Sequence, residues 1–200
     1  MSDKKKILVF DFDGTLTTKD TLIEFIRYAK SSPALLFAIL LFSPLLVLMK
    51  LHLADNGKTK QRLFSYFFKE MSLEDFNAIC NKFGKEKSSL LRQGGKTVIA
   101  SALKEGTPIY IVSASIDNWV NPFFSNCNII GTKLEVKDDK LTGRFLTKNC
   151  YGAEKVNRLK AAIPDLETNR SHYYIIAYGD SRGDKEILEY ADEGHYKPFR

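Results

Sequence analysis

Three short apolar runs, each closing on acidic or hydroxyl residues, constrain this chain more than any other feature. Ile7-Leu8-Val9-Phe10 leads into Asp11-Phe12-Asp13-Gly14-Thr15, Pro108-Ile109-Tyr110-Ile111-Val112 into Ser113-Ala114-Ser115, and Tyr173 to Tyr178 into Gly179-Asp180. Runs this short, rich in β-branched and aromatic residues, read as strands covered on both faces. Stretches with helical spacing separate them. Strands alternating with helices predict an α/β fold built on a parallel sheet.

The first interval is much longer than a crossover helix needs. Thr21-Leu22-Ile23-Glu24 reads as a capping box opening a helix, and helical spacing continues to about Arg92, where Gly94-Gly95 punctuates the block. The sequence therefore divides into a core, 1–19 and 93–200, and an all-helical insertion, 20–92. Further on, helices are expected over about Lys96 to Lys104, closed by Gly106, over Asp117 to about Phe124, over Ala153 to Ala162 and over Asp184 to Tyr190. Leu134-Glu135-Val136 and Leu141 to Phe145 flank Lys137-Asp138-Asp139-Lys140 as a hairpin with a polar tip.

One stretch of the insertion stands apart. From Ala34 to Met49 every residue is apolar except Ser43 and Pro44. That is slightly short for a bilayer span, and Pro44 should break a helix, so two short helices or a helical hairpin are expected. Lys30 precedes the run; Lys50, His52, Lys58, Lys60 and Arg62 follow it. Either a buried helix pair or a surface entering a membrane interface fits.

The 200 residues carry 30 Lys and Arg against 24 Asp and Glu, a formal charge of +6. That favours anionic partners. The basic residues are scattered with no nucleic-acid motif, so no nucleic-acid partner is expected. Cys80, Cys127 and Cys150 are odd in number and form no CxxC pair, which argues against disulfides or a zinc site and for a reducing cytoplasm. The apolar run at 7–10 is too short for a signal peptide. His52, His172 and His195 have no evident partners.

Active sites of open α/β sheets form beyond the carboxyl ends of the strands. There this chain delivers Asp11, Asp13, Ser113 and Asp180, with Asp184 just beyond and Lys155 near the start of an intervening helix. A cluster of acids requires a balancing cation, and hard oxygen donors without His or Cys point to Mg²⁺. Beside a lysine and a serine, such an ion makes a phosphate site. Taken singly, Asp13 and Ser113 read as helix caps, Asp180 as a turn residue and Lys155 as a solvated lysine. Their joint order favours the site.

Asp11-Phe12-Asp13-Gly14-Thr15-Leu16-Thr17 resembles the DxDGTL signature of the haloacid dehalogenase superfamily. Val112-Ser113-Ala114-Ser115, Lys155 and Gly179-Asp180-Ser181-Arg182-Gly183-Asp184 resemble its other three motifs, in order. The resemblance spans essentially the whole chain and implies a Rossmann-like parallel sheet core with an inserted helical cap. Insertion after the first motif resembles the phosphoserine-phosphatase-like branch (subfamily IB). The apolar cap run looks most like phosphatidylglycerophosphatase C and related hydrolases.

This resemblance implies an Mg²⁺-dependent phosphomonoester hydrolase working through an aspartyl-phosphate, on a small phosphometabolite or a lipid-phosphate head group. Asp11 would be nucleophile and metal ligand. Asp13 would be general acid and base, binding metal through its carbonyl. Gly14, Thr15, Ser113, Ala114 and Lys155 would hold phosphate, Asp180 would bind metal directly, and Asp184 would act through water or by positioning Lys155. Asp20 stands where phosphoserine phosphatases carry a substrate-recognising Glu, although helix capping competes for it. A phosphotransferase with the same site, and a silent phosphate-binding scaffold, are the alternatives. A cytoplasmic enzyme, peripheral at the membrane if 34–49 contacts lipid, is expected; the oligomeric state is open.

Overall fold

The computed structural model describes residues 4–51, 53 and 55–200, apart from the Lys50 side chain. His52, in the basic cluster after the apolar run, lies outside the described residues, as does the start of the chain. The elements in chain order are β1 (Lys5–Phe10), α1 (Thr21–Lys30), α2 (Ser32–Lys50), α3 (Asn56–Phe68), α4 (Leu73–Glu86), α5 (Gln93–Lys104), β2 (Ile109–Ile116), α6 (Asp117–Val120), β3 (Asn128–Thr132), β4 (Leu134–Lys137), β5 (Lys140–Phe145), α7 (Ala153–Ala162), β6 (Tyr173–Gly179), α8 (Lys185–Tyr190) and β7 (Glu193–Tyr196).

A five-stranded sheet, ordered β3-β2-β1-β6-β7, is parallel throughout. The three strands expected from sequence form its centre. The outer strands were not anticipated, because Asn128–Thr132 and Glu193–Tyr196 lack the apolar runs that mark central strands. In β1 the period-2 alternation sends Ile7 and Val9 to one face, with Leu159, Ile163 and Ile187 of the α7 and α8 layer. Leu8 and Phe10 go to the other, with Ile99 and Ala102 of α5. The predicted hairpin is present as β4 and β5.

Helices α1 to α4 lie together as a helical cap. Their core is aromatic: Phe25 stacks on Trp119 at 4.9 Å between centroids and meets Phe68, Phe76 and Phe83 at 5.2–5.5 Å. Two local expectations are corrected. The cap of α1 is Asp20, not Thr21, its carboxylate accepting from the Leu22 and Ile23 amides at 3.0 and 3.3 Å. The Thr21 hydroxyl is engaged by Asp13, and Glu24 pairs with Arg27 and Lys19. Gly94 and Gly95 lie inside the first turn of α5 rather than ending a block. A Cβ on Gly95 would stand 2.6 Å from Leu16 Cδ2, and one on Gly94 3.0 Å from Phe199, so these glycines permit close packing.

The third correction concerns 34–49, which forms one helix with Pro44 inside it. Proline removes the amide that would bond the Leu40 carbonyl, a loss typically worth ~3 kcal/mol with the associated clash. Here the Ser43 hydroxyl donates to that same carbonyl at 2.8 Å, so the acceptor stays paired and the helix continues. One face of α2 packs inward through Leu35 and Ala38, while Phe37 and Leu40 on the other are 61% and 65% exposed.

Gly131 in β3 faces backbone on the neighbouring chain segment: an added Cβ would lie 2.7 Å from the Asp117 amide nitrogen and 2.8 Å from the Ser115 carbonyl oxygen. Backbone cannot swing aside as a side-chain tip can. Gly131→Ala is therefore expected to cost about 1–3 kcal/mol of stability, read as a melting temperature lowered by several degrees in a thermal scan.

Candidate active site

Both acidic strand ends arise from the central pair of the sheet. The Asp11 amide donates to the Tyr178 carbonyl at 2.9 Å, extending the β1–β6 ladder one residue beyond Phe10. The chain then turns over Phe12–Leu16, with Gly14 at φ +81°. Only glycine fits there: a Cβ would lie 2.6 Å from Asp180 Oδ2. This turn places Asp11 and Asp13 beside Ser113 of β2 and Asp180 after β6.

At the centre is a buried ion triad. The Lys155 ammonium lies 2.5 Å from Asp11 Oδ1 and 2.5 Å from Asp184 Oδ1. All three side chains are buried. Burial would lower the Lys155 pKa, but the two carboxylates outweigh it and raise it, keeping the ammonium charged. Burial pushes Asp11 up to about 7; Lys155 opposes that rise, and Asp184 and Asp13 add to it. Asp184 is held low despite burial, because Lys155 and the Ser181 amide and hydroxyl donate to it. Its second oxygen accepts from the Asp180 amide at 3.1 Å and from the Ser181 amide at 2.9 Å. Asp184 thus ties the turn after β6 to Lys155.

Asp13 is fixed by a separate network. Its Oδ1 accepts from the Thr21 amide at 2.7 Å and hydroxyl at 2.6 Å, and its Oδ2 accepts from the Ser115 hydroxyl. The Trp119 indole donates to Thr21 Oγ1 at 3.2 Å, joining this network to the aromatic core of the cap. Burial raises the Asp13 pKa; Asp20 adds to the rise and Lys60 opposes it.

A cavity of about 350 Å³ is lined by Asp11, Asp13, Gly14, Asp20, Ser113, Ala114, Lys155, Asp180 and Asp184, so nine of the ten residues expected from sequence surround one space. One oxygen of Asp20, Oδ1, caps α1 by accepting from the Leu22 and Ile23 amides. Thr15 is the exception: it is buried away from the cavity, and its hydroxyl donates to Asp180 Oδ1 at 3.4 Å. It supports an acid rather than facing a ligand. Cys150 is buried, its thiol pushed up to about 11 by burial, and fits no nucleophilic role.

Sequence reasoning missed four groups here. Ser115 was legible in principle, since it lies two residues after Ser113 on the same face of β2. Thr21, Lys60 and Arg200 carry no local signal for the site; the cap brings Thr21 to Asp13 and Lys60 to the cavity, and the segment after β7 brings Arg200.

The acids also fit a divalent ion. Oxygens of Asp11, Asp180 and Asp184 lie within 4.8 Å of one another, and the Cβ-free face of Gly14 leaves Asp180 room beside them. A donor set made only of carboxylates suits a hard cation.

Comparison with known proteins gives the family and the fold. A family model described as haloacid dehalogenase-like hydrolase matches residues 8–189. The chain belongs to the haloacid dehalogenase-like hydrolase family. It is 32% identical over 206 residues to Protein CicA of Caulobacter vibrioides, covering 100% of this chain and 89% of that one. Its fold resembles a protein of unknown function from Bordetella pertussis Tohama I, with TM-score 0.78, 19% identity, and coverage of 93% of this chain and 86% of the other. It also resembles a phosphoserine phosphatase in apo form, with TM-score 0.60, 20% identity, and coverage of 94% and 84%. In this hydrolase, as in those folds, a mostly parallel sheet carries a helical cap.

Removing the ammonium of Lys155 would leave two buried carboxylates with no counter-charge. Lys155→Met is expected to cost about 3–5 kcal/mol at neutral pH, measured as a lower denaturant midpoint with unchanged slope.

Proposed function

We propose that this protein is a Mg²⁺-dependent phosphomonoester hydrolase acting through an aspartyl-phosphate on Asp11. The observation that carries the reading is the Asp11 carboxylate, 2.5 Å from the Lys155 ammonium and facing a cavity shared with Ser113, Gly14 and Asp13. A carboxylate can attack phosphorus without first losing a proton. Asp11 Oδ forms the new P–O bond as the bond to the leaving oxygen breaks, and Asp13 donates a proton to that oxygen. Asp13, now ionised, then takes a proton from the water that hydrolyses the acyl-phosphate and frees Asp11. Its raised pKa and its fixed position suit both steps.

Ser113 and the Ala114 amide hold phosphate oxygens, and Lys155 offsets charge on the transferred group. Asp11, Asp180 and the Asp13 carbonyl hold the ion, which supplies charge stabilisation for the phosphoryl oxygens. Asp184 positions Lys155, since both of its oxygens are already engaged. In this reading 1–19 and 93–200 form the catalytic core and 20–92 the cap.

Within the family we favour the phosphoserine-phosphatase-like branch, but with a lipid-phosphate head group such as phosphatidylglycerophosphate as substrate. Asp20 caps α1 through one carboxylate oxygen and is one methylene shorter than the glutamate at that place in phosphoserine phosphatases, which weighs against recognition of a substrate amine. The exposed face of α2, through Leu36, Phe37, Leu40, Leu41 and Val47, is as apolar as its buried face. Only 11% of Ser32–Met49 is buried, so α2 is not a core helix. Because its other face is packed on the cap, it lies on a membrane surface in this reading rather than spanning one. Leu51 and Leu53 continue the exposed apolar surface towards Asp55 and Asn56. Those two residues line a groove of about 480 Å³ that adjoins the catalytic cavity through Asn56 and Tyr151. A head group could thus reach the acids from a lipid surface. A cytoplasmic enzyme bound peripherally to the inner face of a membrane follows.

Asp11→Asn keeps the size of the side chain and removes its nucleophilic charge. Turnover of an aryl phosphate with Mg²⁺ should fall to background while the circular dichroism spectrum stays native. Retained activity in that variant would end the aspartyl-phosphate reading.

A second test addresses α2. Each buried methylene contributes roughly 0.8 kcal/mol to membrane binding. The double variant Phe37→Ser, Leu40→Ser should abolish co-sedimentation with anionic vesicles and leave aryl-phosphate turnover unchanged. Wild-type protein that stays in the supernatant would count against membrane contact.

A further inference from the structure

The segment after β7 is folded back across the carboxyl edge of the sheet and held at several points. The Lys197 amide donates to the Gly179 carbonyl at 2.8 Å. The Phe199 ring stacks at 5.5 Å on Tyr178 and at 6.4 Å on Phe10, and it covers Gly94 and Gly95 of α5. These contacts deliver one functional group, the Arg200 guanidinium, into the wall of the catalytic cavity, where it pairs with Asp180. Lys60, reaching the same cavity from α3, has no carboxylate within ion-pair distance among the described residues.

Because Arg200 and Lys60 both line this cavity, we propose a subsite there for a second phosphate on the substrate, separate from the phosphoryl group transferred to Asp11. The inference rests on the phosphatase reading. In that reading Lys155, Ser113 and the Ala114 amide already serve the transferred phosphoryl group, so Arg200 and Lys60 are cations beyond those assigned to it. A divalent ion at Asp180 would repel the guanidinium and satisfy the carboxylate that now pairs with it. The planar fork would then need an anion on its cavity side, and a phosphate accepts its paired N–H groups. The aromatic stack behind Phe199 pre-orders the arm, reducing the entropy lost on binding. The substrate class is a phosphomonoester carrying a second phosphate, either a soluble bisphosphate or a phospholipid whose phosphodiester head bears a terminal phosphate.

Binding calorimetry with Mg²⁺ in excess tests the subsite independently of turnover, using propane-1,3-bisphosphonate and propylphosphonate as probes. Wild-type protein should bind the bisphosphonate at least about tenfold more tightly, a difference of about 1.4 kcal/mol. Arg200→Gln should reduce that preference to about threefold or less, and Arg200→Lys should retain part of it. No preference in the wild type, or a full preference in Arg200→Gln, overturns the subsite, whatever happens to Mg²⁺ affinity. If the preference depends on Arg200 but no aryl phosphate is hydrolysed, the hydrolase reading fails and the subsite stands. Phosphate release from propane-1,3-diol bisphosphate, compared with release from vesicles containing the terminally phosphorylated phospholipid, separates the two sources.

Discussion

A single buried ammonium sets the terms for the rest of the site. Lys155 lies between Asp11 and Asp184 at 2.5 Å from each, with almost no access to solvent. Two carboxylates could not remain ionised in that space without it, because desolvation and mutual repulsion both favour protonation. The triad joins the end of β1, the start of α7 and the turn after β6, so one electrostatic arrangement registers three distant parts of the chain. The same arrangement sets the Lys155 cation against the burial and like charges that raise the Asp11 pKa, which favours the ionised form needed by the proposed nucleophile.

The second acid is governed by different physics. Asp13 is held by hydroxyls and an amide, and Thr21 and Trp119 link it to the aromatic core of the cap. Hydrogen bonds fix its direction while burial and Asp20 raise its pKa. Two neighbouring carboxylates in one turn therefore have unlike environments: one is paired with a cation, the other is held by neutral donors. In the proposed mechanism the acid paired with the cation does the nucleophilic work and the acid held by neutral donors does the acid–base work. Because Thr21 belongs to the first cap helix, cap position and Asp13 orientation are coupled.

Helix α2 illustrates how a local rule yields to a local remedy. Proline inside an apolar run signals a break, and here the break is absent. The Ser43 hydroxyl supplies the hydrogen bond that Pro44 cannot. The resulting single helix carries its exposed apolar residues on one element, which two short helices would have divided.

Much of the fold is legible in the residues themselves. Short apolar runs closing on acids or hydroxyls mark the three central strands, as expected of strands covered on both faces, and the ordered acids, serine and lysine mark the cavity floor. The edge strands escaped because β7, Glu193–Tyr196, reads like a loop and is extended only by pairing with β6. Thr15 was misplaced because sequence gives proximity to a motif but not the direction of a side chain. Lys60 and Arg200 were invisible for the same reason: each lies far along the chain from the acids it approaches. What the sequence determined by itself was the local chemistry: strand ends, turns and the types of group they carry. Only the tertiary structure decided which distant charges meet, because that depends on how the layers pack and on which carboxylates burial forces to find a partner.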